Sequence, residues 1–208
     1  MGDLFERQRE MMVSSQIEAR GIRDPRVLAA MKKVPRHLFI PHDEKNSSYA
    51  DTPLSIGYNQ TISQPYIVAY MTELLELRGK ERILELGTGS GYQTGVLAEL
   101  VNEVFTIEVI EALSKNAQRI LESELSYTNI HFKCANGRNG WEEYAPFERI
   151  LMTAAPEFFP ESLFDQLSEG GMVVAPVGDY FQRIIRYRKK SGKILSEPLI
   201  AVAFVPFI

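Results

Sequence analysis

The sequence predicts a doubly wound α/β fold, a mostly parallel seven-stranded sheet preceded by an N-terminal helical extension. Three observations carry this. From Arg82 onward, short apolar runs alternate with helix-length amphipathic segments, the pattern of βαβ units. The run Ile83-Leu84-Glu85-Leu86 ends in the turn Gly87-Thr88-Gly89-Ser90-Gly91, and the next run, Phe105-Thr106-Ile107, ends in an acid, Glu108. Before Arg82 the apolar positions keep a helical period, without that alternation.

Taken in order, residues 3–20 place Leu4, Met11, Met12 and Ile17 among charges, a weakly amphipathic helix. Asp24-Pro25 supplies an N-cap and a proline at the first helical position, and that helix runs to about Lys33 on Val27, Leu28 and Met31. Pro35, Pro41 and the polar stretch Asp43 to Ser48 read as loop. Residues 49–64 have no sustained period, and a long polar segment of this kind inside a compact chain is usually functional. Pro65 opens a helix on Val68, Met71, Leu74 and Leu75. There follow a strand at 82–86, a helix at 91–101, a strand at 103–109, a helix at 111–124, strands at 130–135 and 148–153, a helix at 160–168 and a strand at 172–177. Two final strands, 182–189 and 199–206, have no long helix between them, so at least one runs antiparallel. We divide the chain into residues 1–80, the extension and a loop for the site, and residues 81–208, the ligand-binding part, packed as one compact unit.

Composition narrows the function. The chain has 208 residues, enough to bury a real core, with 45% hydrophobic and 24% charged residues. A net charge of −4 and a pI near 5.5 argue against a nucleic-acid partner, which calls for a basic surface. The basic run Arg183 to Lys193 alternates with Ile184, Ile185 and Tyr187, as on the solvated face of a strand. Cys134 is the only cysteine, which points to a reducing compartment. Residues 1–20 lack the apolar core of a secretory signal, and no window nears the roughly 18 apolar residues of a membrane span. We therefore expect a cytoplasmic monomer with no membrane partner. His37, His42 and His131 have no metal-ligand spacing with one another or with Cys134, so no metal is expected.

In an open α/β sheet, ligands bind outside the carboxyl ends of the strands. The turn at 87–91, Glu108, the turn at 135–137 and residues 153–156, with Ala154 and Ala155, all follow predicted strands and should converge there. Glycines let a turn pass close to a ligand, and an acid after the second strand can accept both ribose hydroxyls. The spacing is wrong for a dinucleotide: the third glycine, Gly91, comes one residue early and Tyr92 takes its place. Glu85 would repel a pyrophosphate and suits a cation. Trp141 and Tyr144 could stack on an adenine or fill the core.

The glycine motif with Glu85 and Glu108 resembles motif I of the Rossmann-like S-adenosylmethionine-dependent methyltransferases, whose ligand is a sulfonium cation without phosphate. Residues 49–66 read Tyr-Ala-Asp-Thr-Pro-Leu-Ser-Ile-Gly-Tyr-Asn-Gln-Thr-Ile-Ser-Gln-Pro-Tyr. They closely resemble the signature of protein-L-isoaspartate O-methyltransferases, in which Asp-Thr-Pro-Leu and Gln-Thr-Ile-Ser-Gln-Pro flank the active site. Asp24-Pro25-Arg26-Val27, Val34-Pro35-Arg36, Met71-Thr72-Glu73-Leu74-Leu75, Pro176-Val177-Gly178 and Phe204-Val205-Pro206 extend the likeness over nearly the whole chain.

The resemblance implies protein repair: S-adenosyl-L-methionine gives its methyl group to the α-carboxylate of L-isoaspartyl residues in damaged proteins and peptides, leaving S-adenosyl-L-homocysteine. It implies Ser63 as the active-site serine, with Thr61, Ile62 and Ser63 beside the cofactor. Glu85, Gly87, Thr88, Gly89, Gly91, Glu108, Val109, Asn136 and Gly137 complete the cofactor set. Asp51, Ile56, Ala154 and Ala155 fall on the substrate side. The last two strands should exchange places relative to most methyltransferases of this fold. Two departures stand out. The family's usual Gly-Asp-Gly, whose acid accepts the adenine amino group, is here Ala135-Asn136-Gly137, and two small residues rather than three precede Pro156. By spacing alone Ser63 serves equally well as the N-cap of the helix at Pro65. A methyltransferase of a small-molecule carboxylate and an inactive nucleoside-binding module are the alternative functions.

Overall fold

A strand covered on both faces is buried at nearly every position, and Arg82–Leu86 (β3) and Phe147–Met152 (β6) are built this way, with only Arg82 and Glu148 partly exposed. A computed structural model of the chain describes residues 2–208, with side chains from residue 4 onward. It places β3 and β6 side by side in the middle of a seven-stranded sheet. The other strands are Glu103–Glu108 (β4), Ile130–Cys134 (β5), Leu167–Val177 (β7), Gln182–Lys190 (β8) and Lys193–Val202 (β9). The order is β5-β4-β3-β6-β7-β8-β9. The strands from β3 to β7 pair in parallel, and β8 runs antiparallel to both neighbours. The last three strands thus follow in chain order with β9 at the edge, the exchange that the resemblance implies.

Two expectations at this end of the chain need correction. The last strand is Lys193–Val202, not 199–206. Ser191 and Gly192 both have positive φ, 52° and 71°, so a two-residue turn folds the chain straight back along β8. Residues 203–208 then leave the sheet, and Pro206 bridges to Ala155. The predicted helix at 160–168 is only a 3-10 turn, Glu161–Phe164. β7 already begins at Leu167, which pairs with Phe147, so no room remains for a helix.

The α-helices are Gly2–Met11 (α1), Pro25–Lys33 (α2), Pro65–Leu74 (α3), Tyr92–Ala98 (α4) and Glu111–Gln118 (α5). α1 continues through a wide turn, Met12–Ile17, where the Ser14 and Ser15 hydroxyls donate to the Met11 carbonyl and compete with the backbone ladder. Asp24 caps α2 as expected, accepting from the Arg26 amide at 2.9 Å. The stretch at 49–64 contains a hairpin, Leu54–Gly57 (β1) and Gln60–Ile62 (β2), turned at Tyr58-Asn59 with φ of 54° and 56°. Its strands are too short for a period to show in the sequence.

The sheet is asymmetric. The helices bury their apolar residues in one core cluster, where Met12, Ile17, Met31 and Val34 meet Tyr92, Val96, Ile83 and Leu121. No α-helical residue belongs to the cluster on the opposite face, built on Leu84, Leu86, Phe105, Ile107, Ile150 and Val173. That face is covered by short turns and aromatic rings. Phe105 packs edge-on against Trp141 at 5.7 Å and tilted against Tyr144 at 4.8 Å, so both rings are core filling. On this face the connections after β5 and β6 are 3-10 turns, two after β5 and one after β6, in the places where longer βαβ units carry α-helices.

Gly91 joins the glycine turn to α4 with φ +90°, and a Cβ there would lie 2.9 Å from Ala117 Cβ and 3.1 Å from Leu121 Cδ1. Gly91→Ala therefore meets both a strained backbone and an overpacked α4–α5 contact, and should lose about 2 kcal/mol of stability. Urea unfolding with an unchanged midpoint would contradict this contact.

Candidate active site

The carboxyl ends of β3, β4 and β6 are tied together by the glycine turn. The Gly87 amide donates to the Ile107 carbonyl at 2.8 Å. A Cβ at Gly87 would lie 2.3 Å from Thr153 Oγ1, so only glycine fits beside that hydroxyl, which donates to the Leu86 and Gly87 carbonyls. Gly89 donates its amide to Glu108 Oε2 at 2.8 Å, and Ile110 donates to Oε1 at 2.9 Å. Each oxygen of Glu108 therefore keeps one acceptor direction, and the nearly buried carboxylate borders a cavity.

That cavity offers about 860 Å³ of open space, the solvent at its mouth included. Its floor is Gly87 to Ser90 with Glu108, Val109 and Ile110, and Gly137 and Ala154 close the side beyond β5 and β6. Gln60 to Ser63 and the apolar side chains of Val68 and Met71 form the facing wall, and Phe204 to Ile208 complete it. A second chamber of about 710 Å³ adjoins it, bounded by Pro53, Gln64 and Ala201 to Ala203. Thr61, Ser63, Ile67, Thr153, Phe204 and Val205 line both chambers.

Ser63 thus stands on the wall between the two chambers. Its capping alternative fails: the N-cap of α3 is Gln64, and no side chain caps that helix. Among the described residues nothing is hydrogen-bonded to the Ser63 hydroxyl. The loop that carries it is held by side chains from three segments. Arg36 Nε donates to the Ser48 carbonyl at 2.8 Å, Gln16 to the Tyr49 carbonyl at 3.0 Å, and Gln64 to the Asp51 carbonyl at 3.0 Å.

Of the residues singled out from sequence, Thr61, Ile62, Ser63, Gly87, Thr88, Gly89, Glu108, Val109, Gly137 and Ala154 line the cavity. Six lie off its walls. The Asp51 carboxylate pairs with Arg20 at 2.7 Å. Ile56 packs toward Gly89 from behind the hairpin, and Gly91 faces α5. Asn136 turns its side-chain oxygen onto the Arg138 amide at 2.9 Å, away from the cavity that Gly137 lines. Ala155 exchanges backbone hydrogen bonds with Val205 and Phe207. Sequence reasoning placed Thr153 at the crevice with residues 153–156 but missed the walls made by Met71 and residues 204–208; the terminal Phe204-Val205-Pro206 match was visible, but nothing in its apolar composition marked it as a wall. Among the described residues, no group of three or more His, Cys, Asp or Glu is placed to hold a metal. Nor, among the described residues, is any helix long and apolar enough to cross a membrane.

Glu85 is also off the cavity, fully buried beneath the turn. Its Oε2 accepts from Thr94 Oγ1 on α4 and from Thr106 Oγ1 on β4, both at 2.6 Å, and Thr88 Oγ1 donates in turn to Thr106 Oγ1 at 2.6 Å. One carboxylate oxygen thereby joins β3, α4, β4 and the glycine turn, while Oε1 has no partner. Burial pushes this carboxyl up to about 7, against the pull of the two threonine hydroxyls, and the neighbouring Glu108 charge adds to the rise.

The sequence profile of the protein-L-isoaspartate(D-aspartate) O-methyltransferase family matches residues 7–208. The chain belongs to that family. A protein-L-isoaspartate O-methyltransferase of a Picosynechococcus strain is 52% identical over 198 residues, covering 95% of this chain and 89% of the relative. One from Geobacter metallireducens is 46% identical over 206 residues, covering 98% and 95%. Among solved structures, a protein-L-isoaspartate O-methyltransferase superposes with a TM-score of 0.86 at 25% identity, covering 95% of this chain, which spans 65% of that longer one. A Plasmodium falciparum protein described by the same activity, crystallised with S-adenosyl-L-homocysteine, superposes with a TM-score of 0.84 at 27% identity, covering 96% and 98%. The family assignment and the mostly parallel sheet therefore agree along the chain.

A buried acid raised from its ordinary value of 4.5 to about 7 binds more protons folded than unfolded across that interval. Stability should therefore fall as the pH rises from about 4.5 to about 7, then level off, by an amount on the order of 3 kcal/mol. Glu85→Gln should remove that slope in urea unfolding followed between pH 4 and 8. An unchanged slope would assign it to other groups.

Proposed function

We propose that this chain repairs damaged proteins by methylating the α-carboxylate of L-isoaspartyl residues, with S-adenosyl-L-methionine as donor and S-adenosyl-L-homocysteine as product. The family match over residues 7–208 carries this reading. The two adjoining chambers with Ser63 between them agree with it, since a methyl donor and an acceptor must meet at a shared wall.

The residues of the larger chamber fit the donor. A turn on which a Cβ at Gly87 has no room lets a ligand approach the backbone, and Glu108 has acceptor directions to spare for a ribose diol. Gly87, Thr88, Gly89, Glu108, Val109 and Gly137 would hold it, with Thr61, Ile62 and Ser63 opposite. When bound, the donor supplies an electrophilic methyl group on a sulfonium.

The chain's own task is positional. A carboxylate is ionised at neutral pH, so no proton has to be removed before its oxygen attacks. The chamber walls agree: among the described residues, the acidic side chains on them are Glu108 and Tyr92, and burial raises the Tyr92 phenol far above neutrality. Ser63 donates a hydrogen bond that orients the acceptor without neutralising it, and the hairpin and residues 204–208 exclude water. Holding the reacting atoms in line at near-attack distance then supplies the acceleration. Asp51 acts on the substrate side through the loop it anchors with Arg20, Ala154 does so from the donor chamber beside Thr153, which lines both chambers, and Ile56 and Ala155 support these walls from behind. Glu85 and Gly91 serve the donor by shaping the turn, and Asn136 by fixing the loop of Gly137. We place the activity in the cytoplasm, in a monomer without nucleic-acid partners, on the single cysteine and the net charge of −4.

The direct test compares methyl ester formation on matched peptides that carry L-isoaspartate or L-aspartate. Ester on the isoaspartyl peptide alone is expected, and equal labelling of both would refute repair. Glu108→Ala should weaken donor binding by about 1.5–3 kcal/mol in titration calorimetry, the range for hydrogen bonds to a charged group. Unchanged affinity would exclude Glu108 as the ribose acceptor. Ser63→Ala should lower turnover roughly 10- to 100-fold at unchanged donor affinity and melting temperature. A parallel loss of stability would point to a structural role.

A further inference from the structure

The three most exposed large apolar side chains among the described residues are Phe181, Tyr180 and Phe158, at 94%, 92% and 77%. They come from two loops on the carboxyl side of the sheet. Tyr180 and Phe181 occupy the turn between β7 and β8, and Phe158 the loop after β6. The loops are joined, because the Gly178 amide donates to the Pro156 carbonyl at 3.0 Å. Both are also tied to the walls of the smaller chamber. Gln182 accepts from the Phe204 amide at 2.6 Å and donates to its carbonyl at 3.2 Å, and Phe204 lines both chambers. The turn itself is fixed: Gly178 has φ +127°, and a Cβ there would meet the Phe181 carbonyl oxygen at 2.2 Å.

Three large aromatic rings project into water from two joined loops on one rim of the sheet, an apolar exposure of the kind that marks a docking surface. We propose that this rim binds apolar side chains of the substrate polypeptide that flank the isoaspartyl residue. The inference rests on the methyl-transfer reading and assigns it a selectivity surface. The occupant follows from continuity with the acceptor chamber: a chain whose damaged residue enters there continues outward in both directions, and one direction crosses Phe204 onto the rim. An extended segment lays alternate side chains on such a surface, and aromatic rings bury much area at small entropic cost.

The test uses three peptides around one isoaspartyl-glycine core: the bare core, the core extended with Gly and Ser, and the core extended with Leu, Val and Phe. KM and kcat are measured for the parent, for Tyr180→Ser/Phe181→Ser, for Phe158→Ser, and for Leu195→Ser, an exposed site at the far end of β9. The parent should show a lower KM for the apolar peptide than for the Gly/Ser one. The two rim variants should raise the apolar peptide's KM roughly tenfold, with kcat and the bare core's KM unchanged, while Leu195→Ser changes nothing. Equal rises for the bare and apolar peptides, no change at all, or a parent dimer that the variants dissociate without altering KM would overturn the rim. Turnover on the bare core tests methyl transfer separately. Fluorescence anisotropy of the labelled apolar peptide makes the rim comparison without turnover, so a chain that binds through the rim but forms no ester fails the activity alone.

Discussion

The structure depends on how closely the backbone at Gly87 approaches its neighbours. With no Cβ in the way, Thr153 can bring its hydroxyl onto the end of β3, and the turn can lie against the end of β4 and give the Gly89 amide to Glu108. Three strand ends are thereby locked in one plane. The first chamber has these strand ends as its floor, and Thr153 carries the floor on into the second, whose other walls come from the 53–67 segment and residues 201–205. The threonines beneath repeat the device in the interior, where a single oxygen of Glu85 fixes the helix and strand on either side of the turn.

The two faces of the sheet divide the labour. The helical face is a continuous apolar core in which the N-terminal segments and the sheet share one cluster. The extension therefore gives the hairpin a rigid footing, and Arg36, Gln16 and Gln64 pass that rigidity to the loop ahead of Ser63 by holding its carbonyls. The other face is filled by rings, and its short connections leave the strand ends beyond β6 free to carry the loops of the smaller chamber and its rim.

Much of this was legible in the sequence. β3 and β6 are short apolar runs bounded by turns, and Asp24-Pro25 and Pro65 mark helix starts by mechanism. The glycine spacing with Glu108 pointed to what is the floor of the cavity, and the 49–66 signature to the wall that carries Ser63. What failed did so for local reasons. β1 and β2 are too short to display a period, and Pro198 and exposure on both sides hid β9, which is tolerable only at a sheet edge. Glu85 was read as facing the ligand because its charge suits a cation, yet a residue inside a strand points across the sheet, and its neighbours there are threonines. The wall from Phe204 to Ile208 was hidden because an apolar tail has no chemical signature; only the crossing back to Ala155 brings it over the site.

A chamber wall with no group to switch on sets what such a site is able to sense. Every protein surface is covered with ionised carboxylates, and none needs activating before it can react. On the proposed reading, chemistry cannot tell a damaged residue from a sound one. The discrimination falls to reach: the isoaspartyl linkage carries its backbone through one extra methylene and hangs its carboxylate on a shorter arm. A rigid partition bearing the Ser63 hydroxyl therefore works as a gauge of chain geometry, and its tolerance is set by how firmly the carbonyls behind it are held.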